Sequence, residues 1–441
     1  METVKFNYKE TCGVPLNDLL VVIGSLKGYR EKLRIIADTG GYDALESSIN
    51  LPVDEVMHSK IDEIARTFKT PSLKYVVHIG IGGSSLGTQA IYDALMGSYD
   101  ALNPRRYPKI IFADTNDSGT INVIQECIRG VQGKEEVLIH MVSKSGMTTE
   151  TIANFEIIHV FLKERFGDVK DRIVVTTDEG STLWAVGEKE GFTCISIPKI
   201  VGGRYSVVSA AGIFSLSLVG IDTHAFREGA SLMREICLED NIAENVAIIS
   251  ASVLYHHYQS GISIHNNFLF GPELESLGKW YRQLAGESLG KEKISGSGDI
   301  IHIGIMPIVS IGSNDLHSVA QLYLGGPKDI FTTFVNREHG SNNAKVSPTP
   351  IFSDLSHRIA GKNFTEITNA IYGGVLVAYK NRALPFTEVI FSEVSAKTLG
   401  AFVQWKMLET MYLAHLLGVN AFDQPNVEEY KAETRKILGA K

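Results

Sequence analysis

After Pro71 the chain repeats one pattern: a short apolar run, a loop, then apolar residues at helical spacing. Lys74–Ile79, Ile110–Ala113, Val137–Val142, Ile173–Thr176 and Cys194–Ile197 read as buried strands, with helical patterns between most of them. Strands that alternate with helices imply parallel βαβ units whose sheet is covered on both faces. A second series starts near residue 299, with strands at Ile300–Ile305, Ile330–Val335 and Glu388–Phe391. At 441 residues the chain is long enough for two such cores. The expectation is an α/β protein of two doubly wound, mainly parallel-sheet domains, 71–204 and 261–418. A helical segment over 1–70, a helical connection over 205–260 and a C-terminal turn and helix over 419–441 complete it. Glu338–Pro350, rich in Asn, Ser and Pro, reads as an exposed loop.

Composition excludes several classes. Hydrophobic residues make up 44% and charged residues 21%, as in a soluble globular protein. A net charge of −8 argues against nucleic acid or an anionic membrane surface as partner, but not against a small anion held by local donors. Cys12, Cys127, Cys194 and Cys237 show no metal or redox spacing and fit buried thiols in a reducing compartment. The N-terminus carries Lys5, Lys9 and Glu10 and no apolar leader, so a cytoplasmic location is expected. The uncharged run Tyr205–Ile221 reads as a packed helix rather than a membrane span. Adjacent His256 and His257 cannot share a helix face, and no compact His/Asp/Glu set suggests a metal.

The chemistry lies in the loops. Ser143-Lys144-Ser145-Gly146-Met147-Thr148-Thr149-Glu150-Thr151 stands between the strand Val137–Val142 and a helical pattern through Ile152, Phe155, Ile158 and Phe161. Its hydroxyls, its lysine and the free N–H groups of a helix start are all donors, and a phosphate monoester suits them. Helix capping is the simpler use of such residues. Gly80-Ile81-Gly82-Gly83-Ser84-Ser85-Leu86-Gly87 follows the first strand, where ligands gather in open α/β sheets. It fits neither G-x-G-x-x-G, since Ser stands at 85, nor the lysine-ending nucleotide loop.

Three further stretches place reactive groups among small residues. Arg204, in Gly202-Gly203-Arg204-Tyr205-Ser206, is a candidate fixed cation for a developing oxyanion; a helix-end arginine is the alternative. Glu287, in Gly286-Glu287-Ser288-Leu289-Gly290-Lys291, is a candidate general base; an exposed turn glutamate is the alternative. His317 is a candidate acid–base group or a satisfied core histidine. Lys431 falls early in the last helix, where surface lysines are ordinary.

Taken in order, Gly80–Gly87, Ser143–Thr151, Gly202–Ser206, Gln283–Lys291, His317–Gln321 and Phe422–Lys431 resemble the glucose-6-phosphate isomerase family, in its shorter bacterial type. The resemblance extends over most of the chain and implies two sugar-isomerase (SIS) domains. It implies reversible conversion of glucose 6-phosphate to fructose 6-phosphate, in glycolysis and gluconeogenesis, without metal or organic cofactor. By the family pattern Ser84, Ser143, Ser145 and Thr148 hold the phosphate, with Lys144 and the Gly83 backbone beside them. Glu287 moves the proton between C1 and C2, Arg204 stabilises the cis-enediolate, and His317 and Lys431 serve ring opening. Gln283 and Gln424 match substrate contacts. The resemblance further implies a homodimer whose partner subunit donates the histidine. Ser85, Asn426 and the Gly146-Met147 pair depart from the commoner family pattern, all beside the inferred contacts rather than at them. A non-catalytic sugar-phosphate sensor on the same domains is the rival; it needs the hydroxyl loop but not Glu287, His317 and Arg204.

Overall fold

A computed structural model describes residues 3–241, 244–339 and 344–439. Its strands are β1 (Val4–Asn7), β2 (Tyr75–Ile79), β3 (Lys109–Ala113), β4 (Val137–Val142), β5 (Ile173–Thr177), β6 (Thr193–Ser196), β7 (Ile264–Phe270), β8 (Lys291–Ile294), β9 (Ile300–Ile303), β10 (Met306–Gly312), β11 (Ile330–Arg337) and β12 (Phe386–Phe391). One sheet runs β3-β2-β4-β5-β6 and is parallel throughout. The other runs β1-β12-β11-β7-β10, parallel except for the antiparallel edge strand β1.

The central strands β2, β4 and β5 are buried on both faces, so they are apolar at successive positions rather than at alternate ones. Val76, Leu138 and Val174 face a large common core. Val77, Ile139 and Val175, one position on, face a separate cluster under helices Ser118–Arg129 and Thr149–Phe166. In the second sheet Leu269, Val335 and Val389 face the common core, while Phe268, Phe270, Phe334 and Phe386 meet Tyr372 and Tyr379 on the far side. The common core is completed by the helix Ala396–Leu417, whose flanks are buried almost throughout. It ends at Gly418, with φ 67, a left-handed position that glycine takes without strain.

The first series of strands matches the sequence expectation to within a residue or two at each end. The second series needs correction. It begins at β7, not near residue 299, and Ile300–Ile305 supplies only β9 of a two-stranded hairpin with β8, apart from the sheet. The sequence Ile264-His265-Asn266-Asn267 hides β7, because three successive polar side chains are buried in the sheet. His265 Nε2 meets Thr333 Oγ1 at 2.8 Å, and Asn266 Oδ1 accepts from the Ser310 hydroxyl at 2.9 Å. Segment 1–70 is helical at Leu16–Ser25, Lys27–Thr39 and Glu55–Phe68, but β1 precedes these and pairs with β12. The uncharged run contains the helix Ala210–Leu218, buried at every residue. Of the expected loop Glu338–Pro350, residues 340–343 lie outside the described residues, and the described part is mostly exposed.

Helices Thr223–Leu238 and Ala396–Leu417 cross at two reciprocal glycines. A methyl on Gly229 would strike the Lys397 carbonyl, and one on Gly400 would strike the Phe226 carbonyl. Gly400→Ala therefore forces the helices apart and is expected to cost about 1–3 kcal/mol. Urea unfolding checks this: the midpoint falls while the slope stays constant.

Candidate active site

The first sheet reverses its winding between β2 and β4: the chain runs outward from β2 to β3, then returns to β4 on the other side. The loops leaving β2 and β4 therefore diverge and open a crevice at the carboxyl ends of the strands. The glycine loop and the hydroxyl loop are those two loops.

In the glycine loop, residues 82–84 form one 3-10 turn before the helix Leu86–Met96. Gly83 packs backbone to backbone on Gly203, and a side chain there would overlap Gly203 and Arg204. Ser84 is half-buried at the crevice, whereas Ser85 is buried and its hydroxyl turns back to the Gly82 carbonyl at 3.4 Å. In the hydroxyl loop, Ser143 Oγ lies 3.2 Å from Thr148 Oγ1. Thr148 is the N-cap of helix Thr149–Phe166 without a side-chain cap bond, so its hydroxyl is turned to Ser143 instead. Gly146 closes the turn, its N–H donating to the Ser143 carbonyl at 3.2 Å with φ 68, and a Cβ there would lie 2.6 Å from Leu183 Cβ. Glycine at 146 is thus required by backbone and space together; nothing in the structure explains the exposed Met147. Ser145 is exposed and Lys144 half-buried. Burial holds the Lys144 ammonium below the usual lysine range; Asp178 opposes this, while Arg204 and Lys199 add to it. Lys144 stands just before the N-terminus of helix Thr149–Phe166, where free N–H groups favour an anion.

Arg204 is 3% exposed, and its whole fork is engaged. Nε donates to Ser288 Oγ at 2.8 Å. Nη1 donates to Glu287 Oε2 at 3.1 Å and to Gln424 Oε1 at 2.8 Å. Nη2 donates to the carbonyls of Ala421 at 2.6 Å and Asp423 at 3.0 Å. Glu287 lies in the last turn of helix Glu275–Leu289, not in an exposed turn. The helix buries Leu277, Trp280, Tyr281, Leu284 and Ser288, which leaves Gln283 and Glu287, four residues apart, on one edge. Gln283 Nε2 donates to Glu287 Oε1 at 2.9 Å, and Gln283 Oε1, though buried, has no hydrogen-bond partner among the described residues. The Glu287 side chain stays 33% exposed.

The fold thus gathers Gly83, Ser84, Ser143, Lys144, Thr148, Arg204, Gln283, Glu287 and Gln424 around the crevice and the Arg204 fork. His317 and Lys431 stand apart from that hydrogen-bonded group. His317 follows β10 on a short 3-10 turn and is exposed; no hydrogen bond or ion pair to its imidazole forms among the described residues. Lys431, in helix Val427–Gly439, pairs with Glu428 at 2.7 Å. Three residues escaped the sequence reading. Ser288 and Tyr205, both fully buried, fix Arg204 from below, with the Tyr205 hydroxyl 3.1 Å from Ser288 Oγ. Lys291, also buried, donates to the Glu287 carbonyl at 2.5 Å and the Asp423 carbonyl at 2.8 Å. Their neighbours in sequence were the only clue.

Fold and site together define the phosphosugar-isomerase class of two-domain α/β proteins. Residues 53–440 match the family described as Phosphoglucose isomerase. Among curated relatives, the glucose-6-phosphate isomerase of Staphylococcus saprophyticus is 32% identical over 89% of this chain and 86% of its own. That of Acetivibrio thermocellus is 31% identical over 100% and 97%. Among solved structures, a hypothetical protein from Thermus thermophilus superposes with TM-score 0.85 at 27% identity, covering 99% of each chain. A glucose-6-phosphate isomerase from Chlamydia trachomatis shares the fold, with TM-score 0.81 at 20% identity over 100% of this chain and 89% of its own. The chain belongs to the phosphoglucose isomerase family.

Ser288→Ala strands the Arg204 Nε–H in a buried setting, a loss of about 1–3 kcal/mol. The expected result is a roughly tenfold lower kcat, since about 1.4 kcal/mol is tenfold in rate, with little change in affinity for inorganic phosphate. Steady-state kinetics and phosphate inhibition on the same variant check it.

Proposed function

We propose that the chain interconverts glucose 6-phosphate and fructose 6-phosphate through a cis-enediolate, with the residues named above in the following roles. One observation carries the reading: a partly exposed carboxylate, Glu287, is held between Gln283 and the buried cation Arg204, beside a crevice lined with phosphate donors.

Ser84, Ser143, Ser145 and Thr148 hold the phosphate, with Lys144 and the Gly83 backbone beside them. The phosphate is remote from the reacting carbons, so its binding energy is converted into orientation of the open chain. Glu287 accepts the C2 proton of the aldose. The electron pair moves into the C1–C2 bond, and the carbonyl oxygen takes the negative charge facing Arg204. Transfer of the O2 hydroxyl proton to O1 moves the charge to O2, and return of the carbon proton from Glu287 to C1 then gives the ketose. Hydrogen and electrons stay within substrate and carboxylate, so the scheme calls for no metal or organic cofactor. Gln283 Oε1 is free to receive a substrate hydroxyl, and Gln424, pinned by Arg204, closes the other side. His317 and Lys431 act at the ring oxygen and anomeric hydroxyl. A sensor would need the donor loops but gain nothing from a carboxylate poised in this way.

We also propose a homodimer in which His317 comes from the partner subunit. Its exposure on one chain fits this role. So do the bare apolar side chains of Ile351 (95% exposed), Phe352 and Leu355, which a second copy would cover. The site-bearing units are proposed as 71–204 and 261–418, with 1–70, 205–260 and 419–441 packed around them. A cytoplasmic location is proposed on the four free cysteines; among the described residues no helix is long and apolar enough to cross a membrane.

EDTA-treated protein is expected to convert fructose 6-phosphate to glucose 6-phosphate, read by a coupled dehydrogenase. Glu287→Gln should lower turnover by about 10²–10⁴ while leaving phosphate affinity within a few-fold. Near-normal turnover would remove Glu287 as the base. Mixing inactive Glu287→Gln and His317→Ala chains, then dissociating and reassociating them, should restore activity to about a quarter of wild type, because half the dimers are mixed and each has one intact site. No recovery would place His317 in its own subunit's site.

A further inference from the structure

Beneath the two donor loops runs a buried hydrogen-bond chain. His78 on β2 and His140 on β4 are register partners on neighbouring strands, and both are fully buried. Their Nδ1 atoms converge on one hydroxyl, Ser215 Oγ of helix Ala210–Leu218, at 3.0 and 2.7 Å. His78 Nε2 lies 2.8 Å from the Ser84 carbonyl. His140 Nε2 lies 2.8 Å from Thr176 Oγ1.

Donor inventory fixes every hydrogen in this chain. Burial lowers the basicity of both imidazoles, so each carries one hydrogen. The Ser84 carbonyl can only accept, so the His78 hydrogen sits on Nε2. His78 Nδ1 is then an acceptor and takes the Ser215 hydroxyl hydrogen. Ser215 has only that one, so it accepts from His140 Nδ1–H. His140 Nε2 in turn accepts from Thr176. The result is one polarised run, Thr176 to His140 to Ser215 to His78 to Ser84, with no freedom left at any link.

One end lies on a donor loop, and the other, Thr176 on β5, is hydrogen-bonded to the second. The Ser84 carbonyl belongs to the glycine loop. Thr176 uses its own carbonyl to accept the Ser143 N–H at 3.1 Å, and its neighbour Thr177 donates to the Lys144 carbonyl at 3.2 Å. We propose that His78, Ser215 and His140 are positioning residues that lock Ser84 against Ser143 and Lys144, setting the spacing of the phosphate site across β2, β4 and β5. The proposal rests on the reading of those loops as the phosphate handle. A fully satisfied buried network of this kind holds a single geometry.

Two measurements test it. Nitrogen-15 NMR of the intact wild-type protein should show opposite neutral tautomers, Nε2–H for His78 and Nδ1–H for His140. Any other pairing overturns the directed chain, whether or not a variant folds. Ser215→Ala should weaken inorganic phosphate and raise KM for fructose 6-phosphate by about tenfold each, with kcat within about twofold, and Ser215→Thr, which keeps the hydroxyl, should recover both. A lower melting temperature with unchanged phosphate affinity and KM would make the network a core contact only, and overturn the proposal. Ser143→Ala separates the two readings. If it leaves phosphate affinity intact, the loop is not the handle and both fall; if it weakens phosphate while Ser215→Ala does not, only the positioning role falls.

Discussion

The arrangement of this molecule depends on one buried guanidinium. Arg204 comes from the end of the first α/β unit, yet its partners are Ser288 and Glu287 on a helix of the second unit and Ala421, Asp423 and Gln424 in the C-terminal turn. A buried charge is costly to desolvate, and removing one partner of such a pair costs about 3–5 kcal/mol. The cost is offset here because every donor of the fork is used and one of the acceptors, Glu287, is a carboxylate. Three parts of the chain that are distant in sequence are therefore held to one point. Gly83 meets that point as well, since only a glycine lets the first loop lie against Gly203.

The reversal of winding between β2 and β4 supplies the other half of the design. It places two loops at one crevice, and each contributes what its sequence suits: close backbone from the glycines, hydroxyls and a lysine from the other. The carboxylate reaches the same region from the opposite unit, on a helix that packs against the helix Leu86–Met96 following the glycine loop. In the proposed mechanism phosphate recognition and proton transfer are thereby carried on separate elements that pack against each other. Errors in their spacing are suppressed by the packing of helices, not by the loops.

How much of this was legible in the sequence follows from the physics of each signal. β2, β4 and β5 are dense apolar runs because both faces are buried, and Leu, Ile and Val announce such strands. β7 was missed because His265, Asn266 and Asn267 are buried yet polar, and Thr333 and Ser310, the partners of His265 and Asn266, come from strands far along the chain. The isoleucines of β9 misled in the opposite sense, being exposed on a hairpin beside the sheet. Arg204, Glu287 and the hydroxyl loop were readable because small or hydroxylated neighbours set them apart from ordinary surface residues, whereas Gln283 came only from the family resemblance. Ser288, Tyr205 and Lys291 were not, since a residue that acts by holding another carries no mark of its own. For His317 and Lys431 the single chain gives position but no company.

The Glu287 carboxylate shows how rigidity and access are reconciled. Each of its oxygens accepts one bond, Oε1 from Gln283 and Oε2 from Arg204, and each retains a lone pair. The carboxylate is thus held in orientation without being saturated, and a third of it still meets solvent. Arg204, in contrast, is fixed from below by Ser288 and Tyr205 and from the side by the 421–424 turn. A cation that is already oriented needs little reorganisation when charge develops near it, which is where electrostatic stabilisation is most effective. In the proposed mechanism Glu287 moves a proton between two carbons, a role that gains from the looser hold. The same helix turn delivers both: Ser288 faces inward to anchor the arginine, and Glu287, one residue earlier, stays partly open to solvent.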